Sequence, residues 1–198
     1  FKSKFGEDGN MMVLGISTPK LMSKELFNDW SLLASELQKL EGIKQVLSVG
    51  NLYDLQKDTL NQRFVLKQIS GGPVLRDSEM DSIKNRIYEL PFYEGLIYNK
   101  ESHATLMAIN FDHKILNTPK RGPIIKTILE KANALSKKHG VEVHYSGLPF
   151  IRTAVSQLVS REFVLFLGLS ILVSAIILFI FFRKLYPVLF PIILVIVG

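Results

Sequence analysis

Few residues in this 198-residue chain are placed to do chemistry. Glu142 and His144 stand two apart on a predicted strand and so share a face, and Asp112-His113 would add two more donors. Such groups hold a metal when three or four converge. No spacing in the chain gathers them, so His103, His113, His139 and His144 are expected exposed, at loops and strand ends. Ser146 near His144 is the one tempting nucleophile and base pair. Its setting, Ser146-Gly147-Leu148-Pro149, is not a G-x-S-x-G nucleophile elbow. The sequence has no cysteine, which excludes disulfides, CxxC redox sites and Cys-based zinc sites. These residues point to a protein that is not an enzyme and calls for no metal and no cofactor.

What dominates the chain is Phe163 to Phe182, FVLFLGLSILVSAIILFIFF, an uncharged run of 20 residues. A hydrocarbon core ~30 Å thick takes ~20 apolar residues of helix to cross, so this run is expected to span a membrane. Arg183-Lys184 follows, and a second apolar run begins at Leu185. Short loops rich in Lys and Arg stay cytoplasmic, which places residues 1–162 on the other side, the periplasm of a Gram-negative cell. With Phe1 first and Gly198 inside an apolar run, the chain reads as a fragment of a larger membrane protein. Net charge is +6, from 24 Lys and Arg against 18 Asp and Glu, and falls to +4 once Arg183 and Lys184 are set aside. That excess is mild. It favours anionic lipid headgroups, and without a basic stripe interleaved with aromatics no nucleic acid is expected as a partner.

Before the membrane run, residues 1–148 read as one α+β domain. Phe1 to Asn10 is a polar lead-in, and Met11 to Ser17 is a buried strand. Ser23 is a candidate N-cap for a helix carrying Leu26, Trp30, Leu33, Leu37 and Leu40 at helical spacing, with Gly42 as its stop. Ile43 to Val49 is a second strand. Gly50 to Arg76 is the least legible stretch and suggests a short helix near Leu55 to Phe64. Asp77 to Leu90 is helical, ended by Pro91. Leu96 to Tyr98 and Ala104 to Phe111 form a hairpin across Asn99 to Ser102. A helix opened by Pro123 and closed by Gly140 precedes a last strand, Val141 to Tyr145. With the insertion set aside, the order is the split βαβ, ferredoxin-like arrangement with a helical insertion.

The junction follows at Gly147-Leu148-Pro149, where Pro suits the first turn of a helix. From Pro149 to Phe182 only Gly168 weakens helix formation. Residues 149–182 are therefore expected to form one long helix, a periplasmic stalk to Glu162 and then the span, followed by the turn 183–184 and the start of the next membrane helix at 185–198. The stalk is amphipathic, with Ile151, Val155, Leu158 and Val159 opposed by Arg152, Gln157 and Arg161. Ser170 and Ser174, with Gly168 and Ala175 nearby, are small residues that permit close helix–helix approach in lipid. Phe150, Phe163 and Phe166 mark the outer membrane boundary, as anchors or as a hydrophobic-substrate entrance. Phe92 and Tyr93 are expected to pack in the core or to line a cleft.

Five segments carry a resemblance to a known family. They are FGEDGNMMVLGIS, LEGIKQVLSV, YEGLIYNKESHATLMAINF, HYSGLPFIRTAV and FFRKLYPVLFPIILVIVG. In their order and their context they resemble the resistance-nodulation-division (RND) superfamily, and within it the MMPL-like exporters of hydrophobic and amphiphilic molecules. Lys184 stands where the family usually has Ser, Tyr98-Asn99 replaces its usual hydrophobic-Ser step, and residues 50–76 match nothing in it. The resemblance implies an inner-membrane, multi-pass exporter driven by the proton gradient. This chain would supply the first porter domain, the second membrane helix and the start of the third. The family's proton-relay carboxylates would lie on a later helix, and residues 163–182 hold no candidate. Implied partners are membrane lipids, a hydrophobic or amphiphilic substrate such as a lipid, the remainder of the same transporter chain and, in a homo-oligomer, further copies. The alternatives are a membrane-anchored extracytoplasmic binding or sensor module, and a protein-export accessory of the same superfamily.

Overall fold

The structure is a computed structural model that describes residues 8–58 and 63–183. The chain divides into two compact units, Phe1–Thr153 and Ala154–Gly198. The first is mixed α+β. Its strands are β1 (Met11–Ser17), β2 (Ile43–Leu47), β3 (Tyr53–Asp58), β4 (Arg63–Gln68), β5 (Tyr98–Asn99), β6 (Ala104–Phe111) and β7 (Val143–Ser146). Its helices are α1 (Lys24–Gln38), α2 (Asp77–Tyr88), α3 (His113–Leu116) and α4 (Arg121–His139), and α5 (Leu148–Phe182) begins within it.

The main sheet runs β2-β6-β1-β7, with the short β5 also on β6. Every pair is antiparallel. Strands β1 and β2 are therefore parallel to each other with β6 between them. Alternation along the strands sorts the residues to two faces. Met12, Leu14 and Ile16 of β1 and Met107, Ile109 and Phe111 of β6 are fully buried. Over that face lie α1, through Leu26, Phe27, Trp30, Leu33 and Leu37, and α4, through Ile125, Ile128, Ala132 and Leu135. Ser23 occupies the N-cap position of α1 without making a side-chain cap bond. The helix stops at Gln38, whose side chain donates to the Lys44 carbonyl (3.1 Å) and accepts from the Val46 amide (2.7 Å), fixing the helix end to β2. Gly140 closes α4 in the left-handed conformation (φ 63°), which glycine adopts without a Cβ penalty.

The structure corrects the reading of the insertion. No helix spans Leu55 to Phe64 among the described residues. An antiparallel hairpin of β3 and β4 stands there, with Leu55 opposite Leu66 and Tyr53 opposite Gln68. The insertion is thus a hairpin followed by a helix, not helical alone. The cause is the period: Tyr53 and Leu55, then Phe64 and Leu66, recur every second residue, which suits a pleated strand. The leading strand of the next hairpin is shorter than Leu96 to Tyr98 suggests, since only Tyr98 and Asn99 pair with β6. Helix α4 starts at Arg121, before Pro123, and the short α3 precedes it. The second apolar run, 185–198, lies outside the described residues, as do Lys184 and residues 1–7 of the lead-in.

Helices α1 and α4 are also joined by ion pairs. Lys131 Nζ is 2.6 Å from Glu36 Oε2, Lys138 Nζ is 2.6 Å from Asp29 Oδ2, and His139 Nε2 is 2.5 Å from the same oxygen. The hydrogen bond from Lys138 outweighs partial burial and, with that to His139, holds the Asp29 carboxyl below its ordinary value. Ionised Asp29 therefore adds stability that is complete above the unfolded-state pKa, near ~3.9, and is lost as pH falls through the lower folded value. Asp29→Asn should cost about 1 kcal/mol at pH 7, since solvent screens much of the pair. The deficit should vanish near pH 2. Thermal unfolding of both proteins across this range measures it.

Candidate functional site

The candidate site is the root of α5, where the α+β unit passes into the apolar helix. β7 lies antiparallel to β1, Val13 opposite Ser146. The next residue, Gly147, has φ 104°. A Cβ there would meet the Met11 carbonyl oxygen and stand 2.9 Å from Met12 Cα. Only a residue without a side chain lets the chain turn this close to the start of β1. Pro149 is buried in the first turn, where its missing N–H leaves no intrahelical bond unmade. The Ile151 amide donates to the Gly147 carbonyl (3.1 Å).

Two further contacts hold that turn. Thr153 is 6% exposed, and its hydroxyl donates to the Pro149 carbonyl (2.9 Å). The hydroxyl also accepts from Arg121 Nε (3.1 Å), while Arg121 Nη1 donates to the Leu116 carbonyl (2.8 Å). On the other side of the turn, the Phe150 ring lies 5.6 Å from Tyr145, whose hydroxyl donates to Asn133 Oδ1 (2.8 Å). Burial raises the Tyr145 phenol above its ordinary value, so it is neutral and a donor at physiological pH.

α5 is long and apolar enough to cross a membrane, by length and composition. Its residues from 154 to 182 extend about 44 Å at 1.5 Å each. That exceeds a hydrocarbon core of ~30 Å by about the length of the stalk residues 154–162. The uncharged 20-residue portion supplies about 30 Å. Phe163, Val164, Leu165 and Phe166 are all more than 60% exposed, and an apolar surface this continuous marks a membrane or protein contact.

The other residues singled out in the sequence fall as follows. Gly168, Ser170 and Ser174 are exposed and Ala175 is half-buried. At 100° per residue, Gly168 and Ala175 lie within about 20° of each other, and Ser170 and Ser174 within about 40°, the two pairs centred about 130° apart. The four do not form one small-residue face. Phe163 and Phe166 lie on one side of α5, about 60° apart at 100° per residue, and Phe150 packs with the core of the first unit. Arg183, exposed with φ 49°, donates its amide to the Phe179 carbonyl (2.8 Å). Among the described residues no three His, Asp or Glu side chains converge. His144 and Glu142, both exposed, are 3.9 Å apart. His113 Nδ1 is 3.2 Å from Asn10 Oδ1. His139 is half-buried against Asp29 rather than exposed.

Sequence reasoning missed Arg121, Thr153 and Tyr145 at the root, none of which stands in a local motif. It also missed a second surface. Tyr53, Leu55, Phe64 and Leu66 share one face of the hairpin, and each is at least 46% exposed. Phe92, 74% exposed, continues the apolar surface through Tyr93, whose hydroxyl donates to the Tyr53 carbonyl (2.9 Å). Phe92 is therefore a surface residue, not a core one.

Gly147→Ala should destabilise the α+β unit by about 3 kcal/mol or more, because the strain of positive φ adds to a backbone clash. Gly140→Ala, at positive φ in open space, should cost only about 1 kcal/mol. Chemical denaturation of the two variants compares them, and equal losses would remove the close approach as the reason for Gly147. No protein-family model matches the chain, and no curated protein matches it.

Proposed function

We propose that this chain is the first porter domain and second membrane helix of an RND-type exporter of the MMPL-like branch, driven by the proton-motive force and moving hydrophobic or amphiphilic molecules, lipids among them. The observation that carries the reading is α5. A single helix starts on a hydrogen-bonded turn inside the α+β unit and ends in a run with the length and composition of a membrane span. A helix of this kind transmits force between an aqueous domain and the bilayer, where a flexible linker would absorb it.

The strand order supports the same reading. Two parallel strands, β1 and β2, joined through α1 and separated by an antiparallel β6, are the order that a split βαβ, ferredoxin-like porter domain calls for. The exposed face of Tyr53, Leu55, Phe64 and Leu66 offers apolar area to a hydrophobic cargo or to a neighbouring domain. In this arrangement residues 1–162 face the periplasm, Arg183-Lys184 turns in the cytoplasm, and residues 185–198 begin the next span of a multi-pass inner-membrane protein. Proton transfer belongs to ionisable residues on other helices of the same transporter, because 163–182 offers none.

Accumulation of a hydrophobic fluorescent substrate tests this in cells with and without the full-length protein. Deletion should raise accumulation severalfold, and an uncoupler should raise wild-type cells to the same level. Export that is indifferent to the proton gradient would remove the energy source. A cytoplasmic signalling domain after one or two spans would point instead to a sensor.

A further inference from the structure

Within the first unit, the turn after β1, helix α2 and the β5–β6 hairpin meet around a cavity of about 90 Å³. That is room for about three waters. Part of its wall is apolar, from Leu21, Met22 and the rings of Tyr88 and Tyr98, whose centroids are 5.5 Å apart. The Tyr98 hydroxyl is committed to the carbonyls of Ile87 (2.8 Å) and Leu90 (3.3 Å), so Tyr98 offers the cavity only its ring.

The polar groups on the wall are donors. Thr18 is 9% exposed; its side-chain oxygen accepts from the Lys20 amide (3.3 Å), and its hydroxyl proton has no acceptor among the described residues. Asn99 Oδ1 accepts from the amides of Glu101 (2.9 Å) and Ser102 (3.0 Å), which orients the side chain and leaves Nδ2 without an acceptor among the described residues. Lys84 is half-buried, with Nζ 5.9 Å from the Tyr88 ring centroid, and makes no ion pair among the described residues. Lys100 lies 5.0 Å from the same ring, but Glu94 is 3.3 Å from it and offsets its charge. No carboxylate among the described residues lines the cavity. His103 adds a ring N–H in either protonation state. It ends the hairpin turn between the paired Asn99 and Ala104, with φ 49°. That conformation is easy for glycine and strained for a residue with a Cβ. The turn is fastened in place, since the His103 carbonyl accepts from the Thr18 amide (2.9 Å) and the Ser17 hydroxyl donates to the Ser102 carbonyl (2.7 Å). A strained side chain beside a donor-lined cavity points to a role for that side chain other than folding.

We propose that this cavity binds a small alkyl carboxylate, whose oxygens accept from Lys84, Asn99, His103 and Thr18 and whose short carbon chain packs on the apolar wall. A carboxylate brings both the acceptors that these donors lack and the negative charge that Lys84 lacks. The apolar wall selects against a phosphate, which would turn unsatisfied oxygens toward Leu21 and Met22. The volume excludes a whole lipid. The site lies entirely within the first unit, and it stands whether or not α5 crosses a membrane or the chain transports anything.

The test is a saturation-transfer NMR titration of butyrate against the full chain in nanodiscs, with empty nanodiscs as the blank. Butyrate should bind with a Kd of about 1 mM, in keeping with its few atoms. 1-Butanol, which has the chain without the charge, and inorganic phosphate, which has the charge without the chain, should each compete about tenfold more weakly or worse. Lys84→Gln should weaken butyrate about tenfold, and Lys137→Gln, a change of the same charge on α4, should leave it unaltered. His103→Gly should weaken butyrate severalfold while the thermal midpoint stays equal or rises, because glycine relieves the backbone. That variant separates a binding role from a folding one. No saturable butyrate signal below about 10 mM would overturn the site. So would butanol competing as well as butyrate, phosphate competing better, or unchanged affinity in Lys84→Gln or in His103→Gly.

Discussion

A backbone contact without a side chain governs this structure. Where β7 ends, the chain must turn beside the first residues of β1, and the space between Gly147 and Met11 holds no Cβ. The contact joins the last strand to the first and decides where on the sheet α5 begins. The next features depend on it. Pro149 is buried in the first turn, Thr153 is brought within reach of Arg121, and Phe150 is laid against Tyr145. Each of these adds a modest increment of its own. They are available together because the turn at Gly147 is tight.

The rest of the α+β unit follows from two periodicities. Apolar residues every second position in β1 and β6 make one face of the sheet, and apolar residues at helical spacing in α1 and α4 cover it. Ion pairs between the two helices, Lys131 with Glu36 and Lys138 with Asp29, offset part of the charge on that layer. The exposed apolar residues of the α+β unit include Tyr53, Leu55, Phe64 and Leu66 on the insertion hairpin. An apolar strand face left in water costs a folded domain free energy that a partner surface would recover.

Much of this was legible in the residues. Strands β1 and β6, helix α1 with its Leu26, Trp30, Leu33 and Leu37 stripe, and the glycine stop at Gly140 all follow local rules that tertiary packing reinforces. Gly147 and Pro149 were readable for the same reason, since each residue type announces a backbone need. The insertion was not. The alternation in β3 and β4 is short and interrupted by charge, and the hairpin has no buried face to sharpen it. Arg121 and Thr153 lie 32 residues apart, and no local pattern records such a pair. The split of Gly168 and Ala175 from Ser170 and Ser174 was available from helix geometry alone. Sequence proximity had grouped four residues that the helix separates.

The central claim is that α5 is one helix rooted in the α+β unit and crossing a bilayer. The chain has no cysteine, so single cysteines can be placed along α5 of the full-length protein and labelled in intact cells with a membrane-impermeant maleimide. Cysteines at Ser156 and Ser160 should label from outside. Those from Val164 to Ile180 should resist labelling, and one at Arg183 should label only after the cell is opened. Labelling of Val164 to Ile180 as readily as Ser156, or of Arg183 and Ser156 from the same side, would contradict the account.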